Sequence, residues 1–256
     1  MRRQQKQSEW TYEWTVLEDR TKWLFVDWIL PNRLEDFKGK TVLDAGCGAG
    51  HHILITAPLA KRVVGVDLNA SAVARGKTKN LSNVEIFEGD IASWDKGERF
   101  DIVYSIGVPH HTANPDRTVE HLKKLVTHGG RLIIRVYSKE GNAINRWIHE
   151  PLKAALISHL PRPIVLVLSH LITLALFPFI HTLYRLPLKF LPYHDYFRIL
   201  RRLSYKRCQL AVFDQMNAPT TFFIDRAQVE RWMKGMNNVS IRNHWGITWN
   251  ASGTKP

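Results

Sequence analysis

Cysteine, acidic residues and an apolar leader are what this 256-residue chain has little of. Its two cysteines, Cys47 and Cys208, cannot build a disulfide framework, and their scarcity suits a reducing compartment. The opening Met1-Arg2-Arg3-Gln4-Gln5-Lys6 is polar, without the apolar stretch of about 7–15 residues that marks a signal peptide. Twenty-three Asp and Glu stand against 36 Lys and Arg, a net charge of +13. Such a surface favours anionic partners: nucleic acid, acidic lipid headgroups or phosphorylated substrates. No cluster of His and carboxylates has metal-ligand spacing, so no metal centre is expected. Internal repeats and low-complexity tracts are also missing.

The chain does contain one stretch that organises the rest, Thr41-Val42-Leu43-Asp44-Ala45-Gly46-Cys47-Gly48-Ala49-Gly50. A short apolar run enters three glycines at alternate positions, which predicts a buried strand ending in a turn where backbone N–H groups can approach a ligand. A helix from Ala49 to Ala60 follows. Val63 to Asp67, Val84 to Phe87, Asp101 to Ile106 and Arg131 to Tyr137 read as further strands, with helices from Asn69 to Lys79 and from Pro115 to Thr127 between them. Unbroken apolar runs suggest parallel strands covered on both faces, and the alternation of strand and helix specifies an open, doubly wound α/β sheet.

Ligands of such sheets lie at the carboxyl ends of the strands. Asp44, Asp67 and Asp90 are all expected there, and Asp67 follows the glycines by about twenty residues, the distance at which an acid takes ribose hydroxyls. A dinucleotide fingerprint would need a third glycine where His51 stands, and Asp44 would face a pyrophosphate unfavourably. A nucleoside-like ligand with an amino group and little phosphate suits the turn better.

The stretch Val42 to Gly50 resembles the first motif of class I S-adenosylmethionine-dependent methyltransferases. The likeness continues through Val66-Asp67-Leu68, Gly89-Asp90-Ile91, Phe100 to Ser105 and Gly129-Gly130-Arg131-Leu132, covering residues 40–138. The resemblance implies a Rossmann-like, seven-stranded sheet closed by an antiparallel hairpin, with S-adenosylmethionine as cofactor. It implies that Asp44, Ala45, Gly46, Cys47, Gly48 and Gly50 hold the methionine moiety. Asp67 would bind both ribose hydroxyls with Leu68 against the adenine; Asp90 would accept from the adenine amino group beside Ile91; Ser105 and Ile106 would line the sulfonium end. The chain departs from common members at His51, His52 and Pro109.

Methyl transfer from a sulfonium is an in-line displacement that chiefly requires a placed nucleophile. Members that methylate base or glutamine amino groups carry Asn/Asp-Pro-Pro-aromatic after the fourth strand, and cytosine C5 enzymes need a cysteine; this chain has Ser105-Ile106-Gly107-Val108-Pro109-His110-His111. His110 and His111 are therefore the catalytic candidates, since an imidazole can take a proton near neutral pH. Trp14 (with Trp10 and Tyr12 as a flap over the ligand), Tyr104 and Asp214 are candidate substrate contacts.

Four segments follow from these patterns: an aromatic helical cap (1–38, its helix from Thr15 to Leu30), the cofactor-binding core (39–138), a helical hydrophobic and basic lid insertion (139–208), and a helix and strands completing the sheet (209–256). Within the insertion, Trp147 to Leu160 reads as one helix and Pro163 to Ile180 as an apolar one, followed by a basic cluster. That pairing points to a helical lid over an apolar pocket, an element lying in a membrane interface, or, with less support, a span. Val212-Phe213-Asp214 and Thr220-Thr221-Phe222-Phe223 read as lead-ins passing over the site edge, and Val239 to Arg242 with Ile247 to Trp249 as the closing hairpin. The function expected is methyl transfer to a small, apolar or lipid-like metabolite by a cytoplasmic enzyme, with an acidic membrane surface as a further partner and nucleic acid disfavoured. The alternatives are an RNA methyltransferase using the basic surface and a non-catalytic S-adenosylmethionine-binding partner protein.

Overall fold

A computed structural model describes residues 22–218 and 221–256. Trp10, Tyr12, Trp14 and the first part of the expected N-terminal helix lie outside the described residues. The described chain forms two compact units. The first takes the described parts of Met1–Tyr137, Thr220–Arg242 and Thr248–Pro256; the second takes those of Ser138–Pro219 and Asn243–Ile247.

The first unit is built on a sheet with strands β1 (Thr41–Ala45), β2 (Arg62–Asp67), β3 (Val84–Glu88), β4 (Phe100–Ile106), β5 (Val126–Tyr137), β6 (Asn237–His244) and β7 (Thr248–Thr254). Their order is β3-β2-β1-β4-β5-β7-β6. The first five strands run parallel and β7 returns antiparallel to β5, the closing hairpin expected.

Successive strand residues face opposite sides, and both sides are apolar. Leu43, Val64, Val103 and Leu132 pack against α4 (Pro115–Lys124) and α9 (Arg226–Met233) through Val119, Leu122, Val229 and Trp232. Val42, Val63, Ile102 and Ile133 pack on the other side with Phe25 and Ile29 of the α1 (Lys22–Trp28) region, and with Ile53 of α2 (His51–Thr56) and Ala74 of α3 (Ser71–Thr78). Strands buried on both faces account for the unbroken apolar runs.

Several expected boundaries move for identifiable reasons. α3 begins at Ser71 rather than at Asn69, because the Asp67 carboxylate itself accepts from the N–H groups of Asn69 and Ala70 (2.9 and 2.8 Å). β5 begins at Val126 rather than at the expected Arg131, and runs through Gly129-Gly130. The extra residues are absorbed as an irregularity, with Phe100 opposite Val126 and Ile102 opposite Arg131.

In the second unit, the expected helix from Trp147 to Leu160 is broken into a π-helical turn (Asn145–His149), α5 (Glu150–Ala155) and a 3₁₀ turn (Ile157–His159). Pro151 has no N–H to continue the ladder, and the widened turn lies directly before it. The apolar run forms α6 (Arg162–His181), followed by α7 (His194–Leu200) and α8 (Tyr205–Asn217). Val212, Phe213 and Asp214 are thus helical rather than an extended lead-in. Ser204 caps α8 through the Arg207 N–H, and Leu210, Phe213 and Met216 recur at helical spacing on its buried side. The second unit consequently runs to Pro219, past the expected end at 208.

Candidate functional site

The glycine turn is shaped by backbone that only glycine adopts cheaply. Gly46, Gly48 and Gly50 have φ of 89°, 52° and 80°, in the left-handed region. A Cβ on Gly46 would stand 2.5 Å from a Val108 methyl, so the turn and the loop after β4 are in direct contact. The N–H groups of Gly46 and Cys47 donate to the Val66 carbonyl (2.8 and 3.0 Å), which fixes the turn to the end of β2. Gly50 immediately precedes α2, whose first residue His51 is buried with Nε2 3.0 Å from Lys77 Nζ. His52 stacks on Phe25 with ring centroids 4.7 Å apart. The departures from the family pattern at His51 and His52 therefore have packing partners.

Asp67 is the acid most firmly set. Oδ2 accepts from Gly48 N at 2.9 Å, while Oδ1 accepts from Asn69 N and Ala70 N. Three backbone donors lock this half-buried carboxylate against the glycine turn, leaving its remaining lone pairs for a ligand's hydroxyl pair. Leu68 beside it is 40% exposed, an apolar surface of the kind that meets a purine face. Asp90 is exposed past the end of β3, its Oδ1 held by Ala92 N at 2.9 Å, and Ile91 is buried next to it.

Asp44 differs. It is fully buried beneath the turn and accepts a 2.9 Å hydrogen bond from the Tyr104 hydroxyl, on the strand paired with its own. Burial raises its pKa to about 8, the Tyr104 bond opposing and the Asp67 charge adding to the effect. Asp44 is therefore mostly protonated at neutral pH. Tyr104, expected against substrate, is itself fully buried among Phe25, Phe37 and Asp44; it is a support for Asp44 and touches no open surface. Ser105, expected at the sulfonium end, is buried and gives its hydroxyl to the Ala45 carbonyl at 2.6 Å, tying β4 to β1. Ile106 is buried beside it. The Cys47 thiol is pushed well up by burial and then by the charges of Asp44 and Asp67, so it stays a thiol.

The loop after β4 carries Pro109–His111 as one 3₁₀ turn. The His110 ring is fully buried, 4.0 Å from the His111 ring and 4.3 Å from that of Tyr137, which lies near Phe223 at 6.4 Å. The backbone closes this cluster: Phe222 N donates to the His110 carbonyl and Ile224 N to that of Tyr137, both at 2.9 Å. Neither ring nitrogen of His110 has a hydrogen-bond partner. Burial, then His111 and Arg135, pushes its pKa well below the ordinary 6.5, so the imidazole is neutral at physiological pH.

Tyr137 was not singled out in the sequence, though it is the carboxyl-terminal residue of a core strand; Phe223 belongs to the segment expected to pass over the site edge, without a role of its own. Arg135, also not anticipated, is buried with its guanidinium 4.7 Å from the Trp28 ring centroid. Asp214 lies on α8 in the second unit. That unit also holds a cavity of about 380 Å³ lined by Lys189, Tyr193, His194, Arg198 and Trp245, among others.

A family model described as a methyltransferase domain matches residues 36–168. The tRNA U34 carboxymethyltransferase of Pseudoalteromonas translucida (strain TAC 125) is 31% identical over 140 residues, covering 53% of this chain and 40% of that protein. The chain thus spans about two fifths of the length of that curated relative. Two solved structures share the fold. An O-methyltransferase family protein from Burkholderia thailandensis has a TM-score of 0.54 at 14% identity, over 92% of this chain and 57% of that one. Magnesium protoporphyrin IX methyltransferase from Synechocystis PCC 6803, with bound SAH, has 0.51 at 14% identity, over 97% and 84%.

The tRNA-directed name of the curated relatives overturns the expectation of a small apolar or lipid-like acceptor with nucleic acid disfavoured. The apolar run that prompted it belongs to the second unit, whereas the likeness to those relatives covers only about half of the chain. With a glycine cradle, a backbone-locked acid at the ribose distance and the matching family model, the chain belongs to the class I S-adenosylmethionine-dependent methyltransferases.

Proposed function

We propose that this protein transfers a methyl group from its S-adenosylmethionine cofactor to RNA. The observation that carries the reading is the 31% identity to a tRNA U34 carboxymethyltransferase. Two further features support it. The chain carries a net charge of +13, as a polyphosphate partner requires. The cavity of the second unit combines Lys189 and Arg198 with the Trp245 ring, cations and an aromatic face of the kind that receives phosphates and bases. A cytoplasmic location accords with an RNA substrate, and peripheral contact with membrane is compatible with it.

In this reading the Gly46–Gly50 turn and Asp44 hold the amino-acid end of the cofactor, Asp67 the ribose, and Leu68, Asp90 and Ile91 the adenine. The cofactor supplies an electrophilic carbon on a sulfonium. The chain's own task is to place the acceptor in line with that carbon and to receive any proton the acceptor loses. His110 has the right state for the second task, being neutral with neither buried ring nitrogen engaged in a hydrogen bond. His111 and Tyr137 flank it as acceptor contacts.

Incubating the protein with labelled S-adenosylmethionine and bulk tRNA tests the reading. Label should enter the tRNA fraction as a methyl group, located by mass spectrometry of the nucleosides; a carboxymethyl product would instead require a donor carrying a carboxymethyl group on its sulfonium, added in a parallel reaction. His110→Ala should lower the transfer rate by a factor of about 10²–10⁴ with affinity for S-adenosylhomocysteine retained. Label entering no RNA, while cofactor binds, would reject the acceptor class.

A further inference from the structure

α6 has its polarity reversed. In a soluble protein the apolar side of a surface helix turns toward the core and its polar side toward water. Here the row Val165, Ser169, Thr173 is the buried one, and two of its three residues are hydroxyls. Gln209 of α8 donates to Ser169 Oγ at 2.6 Å, and the Thr173 hydroxyl bonds back to the Ser169 carbonyl. On the opposite side, spaced three and four apart, stand Ile164, Val167, Leu171 and Leu174, exposed by 45%, 59%, 57% and 62%. The helix contains no Asp, Glu or Lys, and its one Arg is the first residue, Arg162. Its most apolar 18-residue window has a mean hydropathy of 2.2 with 22% buried.

The same unit exposes Trp147 and Phe190, and its segments carry eleven Lys and Arg against four Asp and Glu. Of the cations, Arg185, Lys189, Arg198, Arg202 and Lys206 are exposed, all within 25 residues after the end of α6.

Length alone would let α6 cross a bilayer, since about 20 apolar residues suffice. Topology forbids it. β5, before the second unit, and β7, after it, are paired in one sheet, so both ends of the unit lie on the same side. One crossing would demand a return between His181 and Pro219, and the helices available there, α7 and α8, have 7 and 13 residues. α8 also carries Lys206, Arg207 and Asp214 and packs along α6.

We infer that the Ile164–Val167–Leu171–Leu174 face of α6 docks flat on an acidic lipid surface, with Arg185, Arg202 and Lys206 on the headgroups. The apolar face supplies insertion into the headgroup and acyl boundary, and the positive charge selects anionic lipid. RNA offers no surface to this face, so the inference stands apart from the identity of the acceptor.

Flotation of the full-length protein with vesicles tests it, comparing pure phosphatidylcholine with a mixture containing about a third phosphatidylglycerol. The protein should float with the acidic vesicles and not with the neutral ones. Leu171→Glu with Leu174→Glu should reduce the bound fraction at least tenfold; both side chains are already solvent-exposed, so the fold is kept, with unchanged S-adenosylhomocysteine affinity as the control. Arg185→Glu with Lys206→Glu, both outside the cavity of the second unit, should reduce flotation with the acidic vesicles. Absence of wild-type flotation would overturn the inference. So would a concentration-dependent dimer in sedimentation velocity that the Leu171/Leu174 variant dissolves, since that assigns the face to a second copy of the chain. Absence of vesicle binding by the wild-type protein, with its tRNA labelling intact, would reject the docking surface and leave the acceptor reading standing.

Discussion

At the residue scale, the two acids of the cofactor site are set by opposite means. Asp67 is held in place by three backbone N–H groups, whereas Asp44 is buried against a tyrosine with its pKa raised to about 8. Asp67→Ala removes the only side-chain acceptor for those donors and should lower S-adenosylhomocysteine affinity at least tenfold, about 1.4 kcal/mol, by titration calorimetry; an unchanged affinity would sink its assignment to the ribose. For Asp44 the sign follows from proton counting. Its folded pKa is above the unfolded 3.8, so the folded protein holds a proton the unfolded chain has released. Stability from this group is fully present below pH 3.8 and drains away as pH rises to about 8, at up to about 1.4 kcal/mol per pH unit within that window. Asp44→Asn should flatten that slope in urea melts at several pH values; an unaltered slope would mean that Asp44 ionises freely.

Asp67 was legible in the sequence because its distance from the glycines is local. The depth of Asp44 was not, since it depends on Tyr104, sixty residues away in sequence. The same limit hid the His110 cluster, which joins a loop, a strand end and the segment at Phe223.

At the scale of elements, the glycine turn is the least substitutable part of the fold. Gly46→Ala places a Cβ against Val108 at a φ of 89°, which should cost roughly 1–3 kcal/mol and weaken cofactor binding. Adding Val108→Ala relieves the clash and leaves the backbone strain, so thermal melts should show partial recovery. Full recovery would mean that contact alone dictates glycine there. The parallel strands were readable because burial on two faces leaves an unbroken apolar run. Pro151 and Pro163 were equally visible in the sequence, yet Pro163 opens a helix at its second residue and Pro151 follows a widened turn. Hydrophobic periodicity could announce α6 and could not say which side would be outward, because nearly every side is apolar.

Across the whole molecule, charge is the property that composition delivers directly and structure then distributes. A net charge of +13 acting on RNA should make tRNA affinity strongly salt-dependent, falling on the order of tenfold or more between about 50 and 200 mM salt in filter-binding assays. A flat response would argue that the basic residues are not its phosphate contacts. The sheet could be read from the chain in outline, down to its closing hairpin. The second unit could be read only as apolar and basic, because its partners on α6 and α8 are separated by loops whose geometry no local pattern dictates.

The contact between Gly46 and Val108 has a thermodynamic corollary. The turn proposed to cradle the cofactor and the loop proposed to present His110 share a wall one methyl group thick. Any displacement of Val108 that one ligand imposes is transmitted to the seat of the other. Donor and acceptor are then linked, each altering the other's affinity by the same factor, so the order in which they are added changes the route and not the final occupancy.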